Sequence, residues 1–281
     1  MHINWYPGHM AKARRMLEEN LKLIDVVMEL TDARAPLATR NPDFDALFSQ
    51  KRRVILLNKS DLANPQRSRE WISHYRAQGI LACEIAASSG AGKKQAVVLL
   101  ERSMAEEVAR LKEKGMSKTV RALVVGIPNV GKSTFINSIA GGARTQTGDR
   151  PGVTKGKQWV RVTPYLELMD SPGLLWPKLE DPELALHLAF LGSINDEIMD
   201  VEQLATELLV RLQTLSPKNL WARYNKLTAD TPPEELLPAV CQSRGFLLPK
   251  GQLDTERAAR IVLDEFRGGK LGRITLENAE C

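Results

Sequence analysis

Hydrophobic and polar positions follow two regimes along this chain. Up to about Pro177, short runs of branched apolar residues recur between longer segments of helical period. "DVVMELTDA" (Asp25–Ala33), "RRVILLNK" (Arg52–Lys59), "ILACEIAA" (Ile80–Ala87) and "TVRALVVG" (Thr119–Gly126) are apolar at both parities. Such runs belong to strands covered on both faces. Between them the period predicts helices over His9–Leu23, Gln66–Gln78 and Lys93–Glu113, the last two stopped by Gly79 and Gly115. Another helix is predicted over Lys132–Ala140. "KQWVRV" and "YLELMD" alternate like the arms of a hairpin turning at Thr163-Pro164. Strands alternating with helices specify an α/β sheet with helices on both faces.

After Pro177 the regime changes. "PELALHLAFLG", "VEQLATELLVRLQTL", "LWARYNKL", "PEELLPAVCQSRG" and "DTERAARIVLDEFRGG" are amphipathic helical segments with caps and glycine stops. "GRITLE" (Gly272–Glu277) is the one late segment with the alternation of a short strand. The expected organisation is an α/β domain over residues 1–185 and a smaller helical domain over residues 186–281.

The strands run into polar motifs. Gly126-Ile127-Pro128-Asn129-Val130-Gly131-Lys132-Ser133-Thr134 fits the phosphate loop G-x-x-x-x-G-K-[ST], with a strand before it and a helix after it. Its backbone N–H groups can wrap phosphates, Lys132 can neutralise them, and Ser133 offers a hydroxyl to Mg²⁺. "MDSPG" places Asp170-x-x-Gly173 about 40 residues on, at a strand end. There a carboxylate can hold Mg²⁺ and a glycine N–H can sense a γ-phosphate. In the intervening "GDRPGVT", Thr154 is the candidate to close over metal and phosphate, with Thr147 as its competitor.

The base-reading elements come earlier. Asn58-Lys59-Ser60-Asp61 follows the buried run "RRVILL". One carboxylate, Asp61, can accept both N1–H and the N2 amine of guanine; adenine offers neither. Asn58 can brace the phosphate loop, and the Lys59 stem can lie over the purine. Ala87 and Ser88, after the next strand, can present backbone N–H to guanine O6. A nucleotide-binding chain usually begins with the phosphate loop. Here the base-reading parts precede it, so the chain is circularly permuted, with the cut between two strand–loop units. The strand that normally follows D-x-x-G is then no longer next in sequence. The expectation is that this segment loses its anchor in the sheet and that the helical domain supplies one.

Composition adds little to the fold and something to the partners. At 43% hydrophobic and 26% charged the chain has globular composition. It has no apolar run long enough to span a bilayer and no apolar signal-peptide core, so no membrane partner is expected. Cys83, Cys241 and Cys281 are too few and scattered for a disulfide framework, and the cytoplasm is the expected compartment. A net charge of +5 favours polyanions, with basic clusters at Lys12, Arg14 and Arg15 and at Arg257, Arg260, Arg267, Lys270 and Arg273.

Taken together, "WYPGHMAKA" (Trp5–Ala13), "DARAP" (Asp32–Pro36), "NKSD", "GIPNVGKS", "GDRPGVT" and "DSPGLLWPK" (Asp170–Lys178) resemble the ribosome biogenesis GTPase A family, a branch of the circularly permuted GTPases. The resemblance spans the α/β region and weakens beyond about residue 200. It implies a P-loop GTPase that binds GTP and GDP and acts in late assembly of the large ribosomal subunit through ribosomal RNA and protein contacts. It also implies a catalytic role for His9. A monomer is expected.

The source of the water-activating group stays open in the sequence. Leu174 and Leu175 stand where many GTPases carry a glutamine. A partner, a residue from elsewhere such as His9, or a monovalent cation can fill that role. Asn129 occupies the position that ligates K⁺ in potassium-dependent GTPases. Two other readings compete with the hydrolase: a GTP-gated RNA-binding assembly protein in which hydrolysis serves only release, and a P-loop kinase or ATPase. Asn58–Asp61 argue against the second.

Overall fold

The structure, a computed structural model, describes residues 7–141, 159–176, 179, 181–194 and 200–279, with the side chains of residues 7–11 and 13 outside that description. The described chain forms two compact units, Met1–Glu180 with Glu277–Cys281, and Asp181–Leu276.

The first unit contains α1 (Pro7–Leu21), β1 (Val26–Asp32), α2 (Asp43–Leu47), β2 (Arg52–Asn58), α3 (Pro65–Ala77), β3 (Leu81–Glu84), α4 (Lys93–Glu113), β4 (Val120–Val125), α5 (Lys132–Ala140), β5 (Trp159–Thr163) and β6 (Leu166–Asp170). The strands form one sheet in the order β3-β2-β1-β4-β6-β5. All neighbours are parallel except β5, which returns antiparallel on β6. Going outward from the centre, β1 leads to β2 and β3 on one side, and β4 leads to β6 on the other. The gap between β1 and β4 is therefore the switch point at which an open α/β sheet binds ligands.

All seven residues of β1 are buried, as its apolar character at both parities predicts. One parity supplies two core clusters. Leu17 of α1 and Phe44 of α2 pack with Val27, Leu123, Met169 and Leu174. Trp71 and Tyr75 of α3 pack with Ile55, Leu57 and Ala82. Glu29 shares that parity and is fully buried. Burial raises its carboxyl, while Arg53 and Arg40, which pair with it, oppose the shift. Meanwhile α4 packs on β1–β3 and α5 on β5 and β6.

Local signals explain most boundaries. Asn64 caps α3 by accepting from Gln66 N–H and Arg67 N–H, with Pro65 at the first helical position. Gly131 and Gly141 bracket α5 in left-handed conformations. The five-residue α2 carries too short a pattern to be predicted from periodicity.

The second unit contains α6 (Pro182–Phe190), α7 (Val201–Leu215), α8 (Pro217–Arg223), α9 (Pro233–Arg244) and α10 (Thr255–Arg267). Its centre is α7, which packs against α6, α8, α9 and α10. Buried Glu265 of α10 accepts from Tyr224 Oη (2.8 Å) and pairs with Arg223, so its charge is compensated. Gly272–Glu277 forms no strand, contrary to its alternation. Extended alternation needs a partner edge, and the backbone N–H groups of this segment join no ladder. Its last residue serves a different purpose, described below.

Phe44 is fully buried in the cluster that also holds Leu174. Phe44→Ala is expected to cost about 3–5 kcal/mol of stability, read as a lower denaturant midpoint at unchanged slope.

Candidate nucleotide-binding site

Three loops meet at the C-terminal ends of β2, β3 and β4, and one side chain joins them. Asn58, buried at the end of β2, donates from Nδ2 to Val130 O of the phosphate loop (2.7 Å). Its Oδ1 accepts from Ala87 N–H beyond β3 (2.9 Å). A buried amide with both halves satisfied fixes all three loops at once. Gly131 is part of the same joint, because a Cβ there would lie 2.5 Å from Asn58 Nδ2, at φ +93°.

Lys59 follows in a left-handed conformation, φ 58°, and so does Asn129, φ 63°. The two are in contact: Lys59 Nζ donates to Asn129 O (2.8 Å). Lys59 Nζ also pairs with Asp32 Oδ2 (3.0 Å). With its ammonium gripped at both sides, the Lys59 stem is held over the mouth between base loop and phosphate loop. Burial alone would raise the Asp32 carboxyl. The guanidinium of fully buried Arg34 and the Lys59 ammonium outweigh it and hold that carboxyl well below the usual range. Ser60 N–H donates to Ile85 O (3.1 Å), which leaves exposed Asp61 at the loop tip. Because Ala87 N–H is used by Asn58, exposed Ser88 is the member of the predicted pair with its backbone left for a base.

In the phosphate loop, Gly126 passes 2.5 Å from Leu30 O at the position of a Cβ, with φ +153°. The turn hands over to α5, whose N-terminus is Lys132. Exposed Thr134 and part-exposed Ser133 lie in its first turn, where the N-terminal N–H groups and the helix dipole favour an anion. Lys132 is buried and donates from Nζ to Gly126 O (3.1 Å) and Ile127 O (2.8 Å). Burial lowers its ammonium to about 8, against the attraction of Asp170.

Asp170 ends β6, and its Oδ2 accepts from Ser133 Oγ (2.8 Å). Its buried Oδ1 has no hydrogen-bond partner among the described residues. Burial raises the carboxyl, with the Ser133 hydroxyl and Lys132 opposing. A hydroxyl and a half-used carboxylate side by side are hard oxygen donors, and they fit Mg²⁺ held partly by a substrate's phosphates. Gly173 presses on the phosphate loop; a Cβ there would lie 2.8 Å from Pro128 N.

The expectation that this segment loses its anchor does not hold. Leu174 N–H donates to Gly126 O (3.3 Å), and Leu174 O accepts from buried Asn41 Nδ2 (2.9 Å). The Leu174 side chain completes the core cluster beside α1 and α2. Permutation changed the sequence distance between these parts, not their packing. His9 lies in the first turn of α1, but its side chain is outside the described residues, as are Thr154 and Thr147. Asp32 and Arg34 lie in "DARAP", where the sequence assigns them no role, and Asn41 lies in no motif. A carboxylate at the C-terminal end of a fully buried strand was the available signal for Asp32.

Comparisons with known proteins agree with this geometry. A family model described as a 50S ribosome-binding GTPase matches residues 121–226. It starts with β4, so the base-reading strand lies outside it. "Ribosome biogenesis GTPase A" of Bacillus cereus is 43% identical over 281 residues, covering 100% of this chain and 95% of that protein. The protein of the same name from Thermotoga maritima is 31% identical, covering 99% and 95%. The solved structure "GNP-bound YlqF from T. maritima" superposes with a TM-score of 0.67 at 29% identity, covering 96% of this chain and 99% of that one. A GDP-bound YlqF structure gives 0.68 at 27% identity, covering 94% and 99%.

Two outcomes follow from the geometry. Gly131→Ala forces a strained backbone and displaces Asn58, so GDP affinity in a fluorescence titration is expected to fall at least about tenfold. Phosphates favour the ammonium form of Lys132. Affinity is therefore expected to be level below pH 8 and to weaken above it, by up to about tenfold at pH 9. A flat profile from pH 7 to 9 would show that Lys132 does not titrate there.

Proposed function

Because the chain belongs to the ribosome biogenesis GTPase A family, and so is a guanine-nucleotide-binding GTPase of ribosome biogenesis, we propose that it is a GTP-hydrolysing switch of late large-subunit assembly whose weak intrinsic rate the ribosomal particle stimulates. The observation that carries this reading is the Asn58 joint, which brings a guanine-reading loop onto a phosphate loop in a permuted chain. The description of the matching family model supports the large subunit as partner. The late basic cluster, from Arg257 to Arg273, supports ribosomal RNA as part of what the second unit touches. No described helix is long and apolar enough to cross a membrane. The protein acts as a monomer in the cytoplasm.

In this reading Asp61 accepts N1–H and the N2 amine of guanine, the Lys59 stem covers the ring, and Ser88 N–H meets O6. The N–H groups of residues 130–134 and the Lys132 ammonium hold the β- and γ-phosphates. Ser133, Asp170 and Thr154 would hold Mg²⁺, which would offset phosphate charge. Asn129 would offer a side-chain oxygen to K⁺. Water attacks the γ-phosphorus, the bond to the bridging oxygen breaks, GDP leaves with that electron pair, and the water's proton passes to the inorganic phosphate formed. His9 orients the water; the sharing of one core cluster by Leu17 of its helix and Leu174 supports α1 as its carrier.

The deciding experiment measures GTP hydrolysis with and without large ribosomal subunits, in K⁺ and in Na⁺. Stimulation by the subunit and a faster rate in K⁺ are expected. In His9→Ala the stimulated rate is expected to fall by about 10²-fold or more while GTP binding is retained. Equal rates with and without subunits would sink the switch reading. Wild-type turnover in His9→Ala would remove the histidine from it.

A further inference from the structure

The loop between β1 and α2, residues 33–42, runs from the base-reading side to the D-x-x-G side of the nucleotide site, and none of its side chains is one predicted to meet the nucleotide. At its start Asp32 grips Lys59. At its end Asn41 holds Leu174 O, just past Gly173. Its middle is a tight turn: Ala35 N–H donates to Asp32 O (3.0 Å), and Thr39 Oγ1 donates to Ala35 O (2.6 Å). Thr39 Oγ1 in turn accepts from Asp32 N–H (2.9 Å), so the middle of the turn is tied to the residue that grips Lys59.

What holds the turn comes from about 240 residues away. Glu277 Oε2 accepts from Leu37 N–H (2.6 Å), and Oε1 accepts from Ala38 N–H (3.0 Å). The carboxylate takes two adjacent backbone donors at once, as a charged cap does at a helix start. Glu277 is buried, and its own carbonyl accepts from Trp71 Nε1 (3.4 Å). It directly follows Leu276, the last residue of the second unit, so the chain leaves the helical unit at the residue that clamps this turn.

We propose that Glu277 is a positioning residue of the guanine-nucleotide site, acting through the turn it clamps to seat Lys59 by way of Asp32 and the D-x-x-G segment by way of Asn41. The inference rests on the family's guanine-nucleotide binding. Without the two charge-assisted bonds, the turn loosens. Asp32 then presents its carboxylate less rigidly, and Lys59 spends less time over the base. The consequence is faster nucleotide release, not loss of fold.

The test is a double-mutant cycle on the full chain, read by the dissociation rate of a fluorescent GDP. Glu277→Gln keeps the shape of the side chain, but its amide cannot accept from both N–H groups with full charge. Dissociation is expected to accelerate about tenfold, and the Leu37 and Ala38 amides to exchange hydrogen faster. In a Lys59→Ala background the same substitution is expected to change dissociation less than about twofold, because the Asp32 arm then lacks its end and GDP has no γ-phosphate for the D-x-x-G arm to meet. Equal acceleration with and without Lys59 would overturn the proposal, as would dissociation within about twofold of wild type in the single variant. Failure of the wild-type chain to bind GDP at all would overturn the nucleotide reading along with it.

Discussion

The site depends on one buried amide. Asn58 must both donate and accept, since Val130 offers a carbonyl and Ala87 an N–H, and both lie out of water. An aspartate can only accept and a leucine can do neither. Each such bond contributes about 1 kcal/mol net, but leaving a buried partner unsatisfied costs more, about 1–3 kcal/mol. The joint therefore needs a side chain that both donates and accepts, and neighbouring residues conform to Asn58. Gly131 lacks a side chain because Asn58 occupies that space. The three loops it joins lie far apart in sequence, and their strands, β2, β3 and β4, are not all neighbours in the sheet. A side chain that bridges loops rather than backbone pairing within the sheet makes them one site.

Seen from that joint, permutation is a change of wiring with the contacts retained. β1 lies between β2 and β4, so the loop after β1 reaches the base-reading side and the phosphate side alike. Asp32 serves the first and Asn41 the second. The D-x-x-G segment keeps an anchor because Leu174 fills the cluster under α1 and α2 and because its carbonyl meets a buried amide. A strand immediately downstream is one way to fix such a segment. A buried leucine and an asparagine 133 residues away are another.

These particulars also show what sequence can carry. The strands β1, β2 and β4 were legible because burial on both faces demands apolar residues at both parities. The phosphate loop was legible because its chemistry fixes residue types at fixed spacing. Asn58 was legible as a brace for the same reason. Asn41 was not, since a side-chain bond to a distant carbonyl leaves no periodicity and no spacing. Gly272–Glu277 misled, because polar Thr275 and Glu277 are buried while Leu276 is only half-buried, so the alternation followed neither burial nor a strand partner. Ile274 is buried. The segment does not join the sheet.

The left-handed pair has a similar logic. A lysine and an asparagine at positive φ each carry backbone strain of about 1–3 kcal/mol that glycine would avoid. Glycine at 59 would lose the ammonium that meets Asp32 and Asn129 O. Glycine at 129 would keep that carbonyl, so the strain at 129 is explained only by its side chain or by rigidity. At Lys59 the left-handed turn aims the stem across the gap from β2 to the phosphate loop, and two acceptors on opposite sides fix its end. A side chain gripped at backbone and tip has little rotamer freedom left to lose when a flat ring slides beneath it. Strain stored in the backbone is thus exchanged for order already in place where the base must bind.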